Sequence, residues 1–200
     1  MAREYEIETH SVKNIFLSAS VPKHNREYFG TADIIAIRDS VISLASAVLA
    51  NPEYHLIWGG HPSITPLITL VLDRYNLKMS DRVTLYQSEH FKNKFPPENK
   101  DVGRRVYTED TGEINSSVDV MRRRMFSEHD YYAAVFIGGM RGVWDEYKMI
   151  KEYHPTVRCF PIASTGAAAR DIYNSHLEAF DSRLLSEMSY TSLFIELLDL

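Results

Sequence analysis

Cysteine is almost absent from this chain. Cys159 stands alone among 200 residues, so no internal disulfide can form and stability must come from a packed core. A chain of this length has surface enough to bury one. A lone cysteine also suits a reducing compartment, and a cytoplasmic protein is the expectation. Long apolar runs are missing too: nothing approaches the roughly 20 residues that span a bilayer. The segment Met1 to His10 is polar and carries acids, unlike a secretory leader. Basic excess is lacking. With 22 Lys and Arg against 27 Asp and Glu, the formal charge is -5, which argues against broad nucleic-acid binding, because that needs a basic field to displace counterions. There is no Gly-Lys-Ser/Thr phosphate loop, no GxGxxG fingerprint and no His/Cys/Asp cluster at metal-ligand spacing. No repeat or linker divides the chain.

What is present alternates between short apolar runs and longer helical patterns. Asn14 to Ser20, His55 to Trp58, Val83 to Gln87, Tyr132 to Ile137 and Val157 to Ile162 read as buried strands. Helical spacing follows in Ile34, Ile37, Val41, Leu44 and Val48, with Thr31 or Asp33 as the start signal, and again in Leu67 to Tyr75, where Thr65 is placed as N-cap with Pro66 behind it. Ile114, Val118, Met121 and Met125 mark a further helix with Ser116 and Asp119 spaced as a capping box. Gly142 to Tyr153, a segment from about Thr165, and Phe180 to Leu198 complete the helices. Phe91 to Thr111, with Pro96-Pro97 and several charges, reads as a long surface loop or lid. The expected fold is α/β: one domain with a Rossmann-like, mostly parallel sheet and helices on both faces, its core about 12–175 and a terminal helix about 180–198.

Four strand exits share one design. They are Ser18-Ala19-Ser20, then Gly59-Gly60-His61-Pro62-Ser63, then Gly138-Gly139-Met140-Arg141-Gly142, then Ser164-Thr165-Gly166. Each opens toward a helix. In a parallel sheet all exits share an edge, where such folds bind ligands. Small residues admit a ligand to the backbone, and helix N-termini offer N–H groups to an anion. The same glycines would also serve simple tight turns. A nucleotide-type ligand is the expectation, with Ser18, Ala19, Ser20, Gly59, Gly60, His61, Ser63, Gly138, Gly139, Met140, Arg141, Gly142, Glu146, Ser164, Thr165 and Gly166 lining its site. No cofactor or metal is required.

Glu146 sits four residues after Gly142. It can hold a ribose, protonate a leaving base if burial raises its pKa, or simply face the helix dipole. Arg141 suits phosphate or solvent. Arg38 and Arg170 suit surface ion pairs better. His61 either touches ligand or caps its turn. Arg122-Arg123-Arg124 reads as a solvated basic face, and Glu89-His90 and Glu128-His129 as exposed pairs. Trp58, Trp144, Tyr131, Tyr132 and Tyr147 suit the core better than base stacking. Ser18 and Ser164 lack a His/Asp partner spacing, so no hydrolytic triad is indicated.

Taken in order, Asn14-Ile-Phe-Leu-Ser-Ala-Ser-Val-Pro22, Trp58-Gly-Gly-His-Pro-Ser-Ile-Thr-Pro66, Phe136-Ile-Gly-Gly-Met-Arg-Gly-Val143 with Glu146, and Pro161-Ile-Ala-Ser-Thr-Gly166 resemble the SLOG superfamily, related to the cytokinin-activating LOG phosphoribohydrolases and the Smf/DprA proteins. The resemblance spans about residues 12 to 175. It implies a Rossmann-like fold whose glycine loops hold a nucleotide, with Glu146 in the place of the ribose-contacting or catalytic glutamate. The enzymes cleave ribose 5-phosphate from a nucleoside monophosphate, using that glutamate and an arginine. Other members sense ADP-ribose-like or cyclic signals in bacterial antiphage defence, and the sequence is more similar to that branch. Ile137 replaces the enzymes' proline, Met140-Arg141 adds a residue, Val143 replaces threonine, and the motif places no arginine. The resemblance therefore implies a sensor, with an N-glycosidic hydrolase as the alternative. A third reading is a docking module that uses Leu193 to Leu198, though that run also suits cover for the domain's own sheet. The expected partners are a small nucleotide and a second copy or an effector protein, with neither nucleic acid nor membrane.

Overall fold

The structure, a computed structural model, describes residues 12–76, 78 and 80–200. Met1 to His10 lies outside the described residues. Six strands form one sheet: β1 (Lys13–Ser20), β2 (Tyr54–Trp58), β3 (Val83–Ser88), β4 (Arg104–Thr108), β5 (Tyr131–Gly138) and β6 (Arg158–Ile162). Their order is β4-β3-β2-β1-β5-β6 and every pairing is parallel. The chain winds outward from β1 to β4, then crosses to β5 on the other side of β1. That reversal puts a topological switch point at the carboxyl ends of β1 and β5, where neighbouring connections diverge to opposite faces and where open α/β sheets bind ligands.

The period-two pleat sorts side chains between two cores. Ile15, Leu17, Leu56, Trp58, Val83, Leu85, Ala133, Val135 and Ile137 face α1 (Ile34–Ala50), α2 (Thr65–Arg74) and α6 (Tyr190–Leu198). Phe16, Ile57, Tyr86, Ala134 and Phe136 face α3 (Ile114–Ser127), α4 (Arg141–Tyr153) and α5 (Ala167–Ser175). Each buried aliphatic or aromatic side chain contributes about 1.5–3 kcal/mol through lost contact with water. The result is a Rossmann-like α/β architecture.

Local boundaries follow identifiable polar contacts. Asp33 caps α1 by accepting from the Ala36 N–H at 2.9 Å. At the other end of α1, the Arg82 guanidinium donates to the carbonyls of Val48 and Leu49, both at 3.0 Å, so a cation meets the carbonyl end of the helix. The Thr65 cap is displaced by one position. Ile64 is the N-cap and Thr65 the first helical residue, its hydroxyl turned inward to accept from Trp58 Nε1 at 3.3 Å. The capping box at Ser116 and Asp119 does not form; α3 starts at Ile114 after Glu113, so both residues lie inside the helix.

Three larger expectations are corrected. Phe91 to Thr111 is not a free loop: it holds two 3-10 turns and the edge strand β4. Its Asn99 is buried, donating to Gln87 while Gln87 donates to the Gly60 carbonyl at 3.1 Å. The helix expected from Thr165 begins at Ala167, after a 3-10 turn over Ala163–Thr165. The terminal helix is shorter than Phe180 to Leu198. A 3-10 turn occupies Ser182–Leu185, and only Tyr190–Leu198 is α-helical.

The end of α6 is clasped at the amino edge of the sheet, opposite the strand exits. Tyr54, first in β2, donates its hydroxyl to the Leu198 carbonyl at 2.6 Å. Asp199 accepts from Tyr132 at 2.7 Å and from Arg158 at 3.1 Å, and the Arg158 guanidinium lies 4.2 Å from the Tyr132 ring centre. Leu193, Phe194, Leu197 and Leu198 are buried against the chain's own core.

Gly166 fixes the last strand exit. Its φ is +72°, and an added Cβ would lie 2.0 Å from the Thr31 carbonyl oxygen. Thr165 and Gly166 are laced to the start of α1 through the Asp33 N–H and a bridge to Ala32. Gly166→Ala therefore combines forbidden backbone with a clash no rotamer relieves. Its expected cost is about 2–4 kcal/mol, lowering Tm by roughly 5–15 °C in a chain of this size; calorimetry checks it, and an unchanged Tm would contradict this account.

Candidate functional site

At the switch point one carboxylate joins three elements. Ser18 leaves β1 on the α4 side of the sheet, and its hydroxyl donates to Glu146 Oε2 at 2.5 Å. Glu146 lies in the second turn of α4. Its Oε1 accepts from Arg122 Nε of α3 at 3.1 Å, while an Arg122 terminal nitrogen donates to the Gly142 carbonyl at 3.0 Å. Asp145 stands 3.6 Å from the same guanidinium but is far more exposed. The Arg122 and Glu146 side chains are each 14% exposed. At that burial the pair is poorly screened by solvent, so removing one partner would leave the other as an uncompensated, largely buried charge. One side is left open by glycine. A Cβ at Gly59 would stand 3.3 Å from Met121 and 3.9 Å from Glu146 Oε1, so the absent side chain keeps the approach to the carboxylate clear.

Arg122 is the residue of this candidate site that the sequence reading missed. Its neighbours do form a solvated face, where Arg123 pairs with Asp119 and Arg124 with Glu128, both at 2.6 Å and i,i+4. Arg122 turns the other way. A signal was available: Arg122 follows buried Met121 and precedes buried Phe126 by one turn, which sets it on the apolar flank of α3.

The first glycine loop spends its helix N-terminus on itself. The His61 carbonyl accepts from the N–H groups of Ile64 and Thr65, and His61 Nδ1 accepts from the Ser63 N–H at 3.3 Å. Ser63 Oγ lies 2.8 Å from Nδ1 and accepts from the Val21 N–H of the β1 exit at 3.1 Å. Burial, with a smaller effect from Lys23, lowers the His61 imidazole to about 4. Gly60 packs on β3, where any side chain would strike Leu85 and Gln87.

The second glycine loop is tied similarly. Gly138 donates to Thr165 Oγ1 and Gly139 to the Ser20 carbonyl, both at 2.9 Å. Val143 donates to the Met140 carbonyl, and Met140 is the N-cap of α4, with no side-chain cap. The Arg141 N–H is held by a carboxylate from elsewhere: Glu27 Oε1, at 2.9 Å. An internal anion thus occupies the positive end of α4. The Arg141 side chain is exposed.

Other named residues sit apart from the carboxylate. Ala19 points to the opposite face of the sheet, toward α1. Ser164 Oγ lies 3.1 Å from the Tyr190 hydroxyl of α6, and Thr165 is fully buried in the fastening of β6. Arg170 donates to the Ala163 and Leu185 carbonyls, and Arg38 pairs with Asp39. Trp58 and Tyr131 are buried, whereas Tyr132 belongs to the C-terminal clasp. Glu128-His129 is not merely an exposed pair, since both hold the buried Tyr86 hydroxyl, at 2.6 and 2.8 Å. His90 is paired with Asp110 at 2.7 Å. Among the described residues no three His, Cys, Asp or Glu side chains are grouped to hold a metal ion, and no helix is long and apolar enough to cross a membrane.

A family model, the SLOG cluster3 family, matches residues 27–198. Among solved structures, the X-ray structure of TM1055, a structural genomics target, is similar over 93% of this chain and 99% of that one, with a TM-score of 0.61 at 15% identity. At that identity the likeness concerns the fold alone. No curated protein matches the sequence.

The ion pair predicts an asymmetry within the arginine triplet. Arg122→Ala strands Glu146 beside Ser18 and is expected to cost about 1–3 kcal/mol, whereas Arg123→Ala should stay within about 0.5 kcal/mol. Urea denaturation of the two variants measures both; equal costs would place Arg122 with its solvated neighbours.

Proposed function

The chain belongs to the SLOG cluster3 family, and from that premise we propose that it binds and senses a nucleotide-derived ligand of the ADP-ribose, NAD or cyclic-nucleotide type at the crevice above β1 and β5. The observation that carries this reading is the Ser18–Glu146–Arg122 triad beside side-chain-free Gly59. A carboxylate already oriented by a hydroxyl and a guanidinium is an acceptor with fixed direction. It suits paired ribose hydroxyls, and a charge-assisted hydrogen bond of this kind contributes about 1.5–3 kcal/mol. The anionic part of the ligand takes the place of the Glu27 carboxylate at the Arg141 N–H, where the dipole of α4 favours negative charge. Signal output through a second copy or an effector protein, in a cytoplasmic antiphage setting, belongs to the same proposal.

A second reading has one observation in its favour. An arginine paired with the glutamate after the second glycine loop is the combination used by the phosphoribohydrolases that the sequence resembles, and Arg122 supplies it. In that reading Glu146 steadies positive charge on the ribose as the N-glycosidic bond breaks. Both of its oxygens already accept hydrogen bonds, from Ser18 and from Arg122, which suits such an acceptor role.

Calorimetry with AMP, NAD, ADP-ribose and cyclic ADP-ribose isomers tests binding, and chromatography of the same mixtures tests turnover. Binding without products is the expected result, and Glu146→Gln should weaken it about 10- to 100-fold. A folded protein that ignores the whole panel would sink the sensor reading. Products that vanish in Glu146→Gln would establish the hydrolase instead.

The internal anion gives a prediction of opposite sign. Glu27→Gln removes the charge competing at α4 and should tighten nucleotide binding about two- to fivefold at low salt, the scale of one helix-terminus interaction. Weaker binding in the same calorimetric assay would show that Glu27 does not compete with the ligand.

A further inference from the structure

His61 holds the first glycine loop together with one side of its ring only. Nδ1 faces Ser63, taking its N–H at 3.3 Å and lying 2.8 Å from its hydroxyl. Because a backbone N–H can only donate, Nδ1 must present a lone pair there. The Ser63 oxygen is itself fixed by the Val21 N–H at 3.1 Å, which leaves the hydroxyl proton for Nδ1. The neutral ring then carries its proton on Nε2. That atom has no hydrogen-bond partner among the described residues, and it belongs to a loop that runs between the β1 exit and the Gly59 approach to Glu146.

We propose that His61 is a specificity-determining residue: its Nε2–H is a pre-oriented, uncharged donor that recognises an uncharged acceptor, a hydroxyl oxygen or ring nitrogen of the nucleoside part of the ligand, and not its phosphate. The identity of the ligand rests on the nucleotide reading above; the tautomer does not. Discrimination against phosphate follows from proton bookkeeping. An imidazole that meets a phosphate dianion gains from a second proton, which here would have to enter at Nδ1. It would expel both Ser63 donors and undo the turn that opens α2. Burial of the ring and the nearby Lys23 charge oppose that proton further. A site that hydrogen-bonds a specific acceptor also rejects analogues that lack it, since a donor that gives up solvent to a ligand without an acceptor is left unpaired in the complex.

Nitrogen-15 NMR of the histidine rings in the full chain reads the tautomer directly. The expected result is a neutral His61 protonated on Nε2 from pH 5.5 to 8, with the Nε2 resonance moving on addition of ADP-ribose or AMP and not on addition of inorganic phosphate. His61→Asn provides the second arm. Asparagine keeps an acceptor for the Ser63 N–H and caps helices well, so folding should survive, but its side chain lacks the reach of Nε2. Binding of ADP-ribose should fall at least tenfold while Tm stays near that of the parent protein. A proton on Nδ1, or a titration near 6.5, overturns the assignment. So does an unmoved Nε2 in protein saturated with nucleotide, or undiminished affinity in His61→Asn. Silence of the parent protein toward every nucleotide overturns the nucleotide reading and this role together, and is distinguished by the absence of binding heat.

Discussion

Glu146 accepts hydrogen bonds from two elements that the chain separates widely: Ser18, 128 positions before it, and Arg122, 24 positions before it. Neither contact can exist until β1 lies beside β5 and α3 packs against α4. The carboxylate is thus the point where sheet order, helix placement and chemistry meet. Burial makes the arrangement demanding, because a largely shielded charge must be matched at both oxygens or it costs free energy. It also fixes the direction of the carboxylate, since Ser18 holds one oxygen and Arg122 the other.

The parallel sheet explains why the glycine loops gather, and the hydrogen-bond pattern explains what they do there. All strands exit at one edge, but the N–H groups expected to form an anion cradle are largely committed. Gly138 and Gly139 bind Thr165 and Ser20, and His61 absorbs the first turn of α2. What stays exchangeable is narrower: the Arg141 N–H under a mobile kind of partner, a side-chain carboxylate, and the far nitrogen of His61. The strand exits are thus fastened mostly to one another, and few directed polar groups are left uncommitted there.

The buried strands were legible because both faces of an inner parallel strand are apolar, as in Ile15-Phe16-Leu17 and Val135-Phe136-Ile137. β4 was not, since Arg104-Arg105-Val106-Tyr107-Thr108 lies at the edge with mostly exposed side chains and carries no apolar run. The terminal helix was overextended because Leu184 and Leu185 keep the apolar content high, although Asp181 stops regular helix by capping a 3-10 turn. Within the site, Glu146 and the glycines could be named from motif order. Arg122 was concealed by its own neighbours, and Ser18's partner required a contact between strand and helix that spacing does not encode.

The clasp of α6 at the starts of β2, β5 and β6 sets the polarity of the molecule. Tyr54, Tyr132 and Arg158 fasten the final turn beneath the sheet, while the crevice opens above it. A fluorescent reporter or affinity handle joined after Leu200 would hang from the amino edge of the sheet, about a strand's length from the edge where the strands exit. Immobilising the protein by that handle would leave the strand exits facing away from the support.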